Sequence, residues 1–431
     1  MNKEKFIGLL KKEMVMAMGC TEPAASALAG AKARDLLGES EIEKIEIYAS
    51  RDMVKNTLGV GLPDCDLKGI QAAVTLGIAE GKVEQGLGIL SGITESQIKK
   101  AQNYNVELRL VSKVPALFIS VKVYGPHHTS QATISGEHEH FVVLLKDEQP
   151  VAEPLRIISS NEIAGNEVIS QEELSKITLD EIIEVAKDLK GDEGDFLKAA
   201  VETNLEISRY SLDHCYGLCV GKTEIENMNK EPSNLAEAFH YASSLAAAGS
   251  DARMAGCSMP VIINSGSGNQ GITVTVPLKV LADYLKVDEK TYVESLFIAQ
   301  MVGLTCTARK NRLSAMCGAF TAAIATSCAY VYLLGGERPM MDCAVNTMVG
   351  NLTGIICDGA KMTCSLKIYS CLEAAALSCR LAFKGHSPGI ESGIVGKDSL
   401  ESITYLSRIS SEGMSQTDDT ILSIMLNKQK C

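Results

Sequence analysis

The sequence predicts an α+β protein with a small, mixed-sheet N-terminal part, 1–155, and a larger, mainly helical catalytic part, 156–431. Segments with strand-like alternation or branched side chains are confined to about the first 150 residues. From about Glu172 onward the apolar spacing becomes helical, with Gly-rich turns between segments. Between the two, "DEQPVAEPLR" (147–156) carries two prolines and several charges, which marks a loose boundary.

In order along the chain, "KEKFIGLLKKEMVMAM" has helical apolar spacing. A second helix restarts after Cys20 in "PAASALAGAKARDLL", with Pro23 suited to a first turn. The segments "EKIEIYAS", "VELRLVS", "ALFISVKVYG", "QATISG" and "HFVVLLKD" read as strands. Helices are then expected at "SQEELSKI", "TLDEIIEVAKDL", "NLAEAFHYASSLAAAG", "TYVESLFIAQMVGLTC", "TAAIATSCAYVYLL" and "KIYSCLEAAALSCRLAF". No internal repeat or low-complexity tract interrupts them.

Composition narrows the function classes. At 431 residues, 46% hydrophobic and 22% charged, the chain is an ordinary folded protein of two to three domains. A formal charge of -12 without a basic block argues against nucleic acid or an anionic membrane surface, and favours a small-molecule partner. The "MVMAMGC" stretch lacks the uninterrupted apolar run of an export signal, because Lys11, Lys12 and Glu13 precede it. The apolar "GAFTAAIATSCAYVYLLGG" (318–336) is rich in Ala, Thr, Ser and Gly and reads as a buried helix rather than a membrane span. Fourteen cysteines without a small secreted framework suggest free thiols in a reducing cytoplasm. Cys306, Cys328, Cys343, Cys371 and Cys379 lie in apolar helical surroundings and read as packing residues.

Five short segments carry chemistry. In "CDGAKMTC", Cys357 and Cys364 would stand about 10.5 Å apart along a straight helix, too far for one metal. A turn at Asp358-Gly359 can fold them together, with Cys364 beginning the next helix. The pair reads equally as two buried thiols; a zinc site would call for tighter Cys-x-x-Cys pairs. "RLSAMCGA" puts Cys317 at another helix start, where free N–H groups favour a thiolate. Three thiolates can hold a four-iron cluster and leave one iron open as a Lewis acid.

"NSGSGNQG" (264–271) combines glycines that let a backbone approach a ligand with the polar side chains of Asn264, Ser265, Ser267, Asn269 and Gln270. A plain polar turn has the same composition. In "SDARMAG", Arg253 either binds a carboxylate or pairs with Asp251. "GCTEP" offers Cys20 as a nucleophile or base at a helix start, where a lowered thiol pKa is expected, with Thr21 and Glu22 beside it; a helix cap with a bystander thiol reads the same way. The histidines of "GPHHTS" and "GEHEH" suggest a metal or a solvated strand edge.

Together "GCTEP", "SDARMAG", "NSGSGNQGI", "LSAMCGA" and "CDGAKMTC" resemble the iron-sulfur L-cysteine desulfidase family, related to the α chain of iron-sulfur L-serine dehydratases. The resemblance runs in the same order and extends to "MSQTDDTIL" near the C-terminus. It implies a four-iron, four-sulfur cluster on Cys317, Cys357 and Cys364, with one iron left for substrate, and Cys20 as the catalytic base. It also implies a small amino-acid substrate whose carboxylate lies near the Gly-Ser-Asn loop. On this reading Thr21, Glu22, Arg253, Asn264, Ser265, Gly266, Ser267, Gly268 and Asn269 bind substrate, and Lys361 has no essential role. The implied reaction is β-elimination of L-cysteine to pyruvate, ammonia and sulfide, or of L-serine with loss of hydroxide. Two other classes stay open: a pyridoxal phosphate β-eliminase, for which no Schiff-base lysine motif is found, and a non-enzymatic thiol-rich metal-binding or redox-sensing protein. Self-association is left open as well.

Overall fold

The computed structural model describes residues 3–151, 155–156, 169–226, 228, 232–310 and 313–428. Helix accounts for 59% and strand for 12% of the chain, so the α+β class holds. The expected 155/156 boundary borders residues 152–154 and 157–168, which are outside the described residues.

Nine strands are described: β1 (Met16–Met18), β2 (Lys44–Ser50), β3 (Val106–Val111), β4 (Phe118–Tyr124), β5 (Thr129–Ser135), β6 (His140–Lys146), β7 (Gln149–Pro150), β8 (Leu155–Arg156) and β9 (Pro260–Ile262). The main sheet runs β3-β2-β4-β5-β6-β7, with β8 also on β6. Only β2 and β3 pair in parallel. Their parallel pairing requires a long crossover, and the intervening chain supplies helices Arg51–Thr57, Gly69–Glu80 and Glu95–Gln102. Period-two alternation sends Ile45, Ile47, Ile119, Val121, Val123, Ala132 and Ile134 inward. Helix Thr21–Leu37 covers that face, and its run of small residues lets helix Gly69–Glu80 lie close against it.

The second part is built around helix Gly318–Leu333, nearly every residue of which is buried. Helices Gly268–Leu285, Glu289–Lys310, Arg338–Leu352 and Cys364–Phe383 pack around it. The apolar stretch considered as a membrane span is therefore a buried helix. Among the described residues, no helix is long and apolar enough to cross a membrane.

The structure departs from the sequence reading at the first helix and at one cysteine pair, and it places an unassigned β-branched stretch in a helix. The first helix stops at Glu13, and Met16–Met18 leaves it to pair antiparallel with Pro260–Ile262. That pairing joins the segment before Cys20 to the segment before the Gly-Ser-Asn loop. The β-branched "ITVTVP" after the loop lies inside helix Gly268–Leu285, because burial on all sides outweighs strand propensity. Cys215 and Cys219 are joined as a disulfide, contrary to the expectation of free thiols; they face one another across a turn, with Cα atoms 5.4 Å apart.

Candidate active site

Four helix N-termini converge on one cavity of about 90 Å³. Cys20 caps helix Thr21–Leu37, Ser267 caps Gly268–Leu285, Cys317 caps Gly318–Leu333, and Cys364 is the first residue of Cys364–Phe383. Each N-terminus presents unpaired N–H groups and a partial positive charge, so the cavity favours anions. Cys20, Cys317, Cys357 and Cys364 all line it, as do Arg253, Thr21, Glu22, Ser267 and Asn269. Its size suits a ligand of a few heavy atoms, far below the roughly 300–1,000 Å³ of drug-sized pockets.

Backbone pairing brings the distant cysteines together. Met316 and Ile356 form an isolated antiparallel bridge, with Cys317 N donating to Ile355 O at 3.0 Å and Cys357 N to Ala315 O at 2.6 Å. The expected turn at Asp358-Gly359 then returns the chain to Cys364, whose sulfur accepts from Lys361 N at 3.4 Å. Gly359 is needed at this turn. Its φ is +89°, and a Cβ there would sit 2.3 Å from the Lys55 carbonyl and 3.0 Å from Asn56 Cα. The cysteine loop is thus docked directly on the helix Arg51–Thr57.

Burial raises the thiols more than the helix ends lower them. It pushes Cys317 up to about 11 and Cys364 to about 12, and neighbouring cysteines add to both shifts. Cys20 is also raised by burial, with Arg253 and Lys361 opposing it, so the lowered pKa expected from sequence is corrected. Lys361 is half-buried, donates to Ala360 O at 3.1 Å, and has its own pKa depressed by desolvation. Its ammonium form places positive charge beside Cys20, where the resemblance gave it no role.

The Gly-Ser-Asn loop and the helix end carrying Arg253 differ from expectation in detail. Asn264 to Ser267 forms a tight turn with Ser265 and Gly266 at positive φ, closed by Ser267 N to Asn264 O at 2.9 Å. Asn264 spends its amide on Gln300 O (3.1 Å) and Gln300 Oε1 (2.6 Å), and Ser265 donates to Asn264 Oδ1. Gly266 O accepts from Thr21 Oγ1 at 2.8 Å. Asn264, Ser265, Gly266 and Gly268 therefore shape the wall without lining the cavity, which Ser267 and Asn269 do. Gly268 leaves room for Arg253, whose Nε would lie 2.4 Å from a Cβ at that position.

Arg253 is not paired with Asp251, since residues two apart on a helix point in different directions. Asp251 accepts from Gly221 N at 3.1 Å instead. Arg253 Nη1 donates to Asn269 Oδ1 at 3.2 Å, while buried Nε has no hydrogen-bond partner among the described residues. Its guanidinium is thus held in place with a donor free for a carboxylate. Of the histidines, His127 and His128 pair with Glu39 and Asp147 at the surface and His138 is buried, so they do not gather at one place.

Gln270, named with the Gly-Ser-Asn loop, also lines the cavity, as do Leu313, Ser314, Met316 and Ala360, which sit inside the cysteine motifs but were given no role. Asn56 lies outside every motif and arrives only because helix Arg51–Thr57 docks there. Leu313 and Ser314 also border a second cavity of about 750 Å³ between the sheet and the C-terminal segment.

Among the described residues, no three His, Cys, Asp or Glu side chains have the spacing of a single metal-ion site. A cluster asks for something different, because each thiolate binds a separate iron and the sulfurs stand wider apart. The three cysteine sulfurs, in a cavity ringed by helix N-termini, fit that demand in donor chemistry.

A family model described as serine dehydratase alpha chain matches residues 84–423. A UPF0597 protein of Oleidesulfovibrio alaskensis is 36% identical over 430 residues, covering 99% of this chain and 98% of its own. A UPF0597 protein of Alkaliphilus oremlandii is 36% identical over 429 residues, covering 98% of each, and one of Parabacteroides distasonis is 34% identical over 430, covering 99% and 98%. The chain belongs to the serine dehydratase alpha chain family, and its similarity to the UPF0597 proteins extends over nearly its whole length.

Proposed function

We propose that the chain is a lyase that eliminates the β substituent of a small α-amino acid, giving pyruvate and ammonia. The observation that carries this reading is the meeting of Cys20, Arg253 and the three-cysteine wall in one small cavity ringed by helix N-termini. A four-iron, four-sulfur cluster held by Cys317, Cys357 and Cys364 would supply an open iron acting as a Lewis acid towards the leaving sulfur or oxygen.

The protein's own groups account for the remainder. Arg253 Nε and the amides at the start of helix Gly268–Leu285 bind and neutralise the substrate carboxylate, which acidifies the neighbouring Cα–H. Cys20 Sγ, as thiolate, accepts that proton. Burial makes this thiolate a strong base once formed, and Arg253 and Lys361 favour its formation. The electrons of the broken Cα–H bond form the Cα–Cβ double bond as the β substituent departs. The resulting aminoacrylate tautomerises and hydrolyses to pyruvate and ammonia without further help.

L-Cysteine desulfidation follows from the motif resemblance, and a cytoplasmic setting goes with it. L-Serine dehydration is the second reading, favoured by the family match. Pyruvate assays on anaerobically prepared protein separate them. The proposal expects pyruvate from at least one of the two, with sulfide released stoichiometrically from L-cysteine; pyruvate from neither contradicts it. A pyridoxal enzyme would instead show a yellow aldimine.

A further inference from the structure

We propose that Asn56, together with Glu22, forms the subsite for the substrate's α-ammonium group, so that the cavity selects α-amino acids over acids lacking that group. This rests on the lyase reading above and adds a residue to it that no sequence motif marks.

Hydrogen-bond directions fix the orientation of the Asn56 amide. Asn56 Nδ2 donates to Glu22 Oε1 at 3.2 Å. An ionised carboxylate only accepts, so the amide cannot be turned the other way, and Oδ1 must point away from Glu22. Asn56 is 7% exposed and lines the cavity, yet its Oδ1 has no partner among the described residues. A buried acceptor left unpaired is costly, and a ligand donor relieves that cost. Glu22 Oε2 lies 3.1 Å from Thr21 Oγ1, whose single proton is shared between it and Gly266 O. Both residues therefore offer acceptors on rigid helices at the cavity.

Arg253 Nε is the complementary case, a buried donor without a partner on the same lining. An unpaired acceptor next to a carboxylate and an unpaired guanidinium donor match the two charged ends of a zwitterion. Two features hold Asn56 where it is. Gly359 packs against its Cα, and the preceding Lys55 forms an ion pair with Asp418. The subsite is thereby fixed to the cysteine loop on one side and to the C-terminal helix on the other.

The test compares ligands that differ only in the α-ammonium, using anaerobically prepared holoprotein. L-Serine is paired with 3-hydroxypropanoate and L-cysteine with 3-mercaptopropanoate, with affinities measured by calorimetry and pyruvate formation by initial rates. Asn56→Leu keeps the side chain's shape and removes the acceptor; Asn56→Ala serves if the leucine variant does not fold. The expected result is a loss of about tenfold or more in amino-acid affinity and a matching rise in KM, with kcat less affected and the des-amino acids bound within about twofold of wild type. Equal losses for both members of a pair, or no loss for either, overturn the subsite while leaving the lyase reading intact. A wild-type protein that neither binds nor turns over any amino acid overturns both.

Discussion

Cys20 has conflicting demands on its thiol. Burial holds the proton on, while Arg253 and Lys361 draw it off, so in the proposed reaction its active form depends on these neighbouring cations. Replacing sulfur with oxygen removes the base, because an alcohol is far less acidic than a thiol. Cys20→Ser is expected to lower kcat by about 10²–10⁴-fold, with iron content unchanged because Cys20 is not among the assigned ligands. Pyruvate rates and iron analysis on the same preparation check it, and full activity in the variant assigns the base elsewhere. Arg253, with one nitrogen fixed by Asn269 and another unpaired, shows how a binding group can be immobilised without being used up.

The short helix Arg51–Thr57 joins much of the machinery. Ser50 caps it by accepting from Met53 N at 3.1 Å, Gly359 docks on its end, and it presents Asn56 to the cavity. The C-terminal helix Ser415–Lys428 clamps it from the other side. There Asp418 pairs with Lys55, whose side chain is 1% exposed, and reaches Arg51 at 3.5 Å, while Asp419 meets Arg51 at 2.9 Å. This gives "MSQTDDTIL" a physical role as a clamp on the element carrying Asn56. Asp418→Ala leaves a buried ammonium with only Asp52, 3.9 Å away, as compensation. Denaturant unfolding is expected to show a loss of about 3 kcal/mol, and amino-acid KM is expected to rise as Asn56 shifts. Unchanged stability and KM would mean that the clamp carries no energetic weight.

At the scale of the molecule, a sheet-bearing layer and a helical bundle contribute different parts of one cavity. In the proposed reaction the base and the ammonium subsite would come from helices beside the sheet, and the carboxylate and cysteine walls from the bundle. Much of this was legible in the sequence. Strand alternation in β2, β4 and β5 and the buried character of Gly318–Leu333 followed from side-chain periodicity, and Cys20, Cys317 and Cys364 were expected at helix starts. The helix start of Gly268–Leu285 was hidden by its β-branched residues, and the β1–β9 pairing by the apolar spacing before it, since both depend on partners far away in the chain. Local polarity likewise made Asn264 and Ser265 resemble ligand contacts when they close a turn, and gave no hint of Asn56. The account's central claim is that Cys317, Cys357 and Cys364 jointly hold an iron-sulfur cluster essential to elimination. Iron and acid-labile sulfide analysis after anaerobic reconstitution tests it most directly, with wild type and Cys317→Ala treated alike. The account predicts about four irons and a broad brown absorption for wild type, and loss of both together with pyruvate formation in the variant. Full iron content and full activity in Cys317→Ala would contradict it.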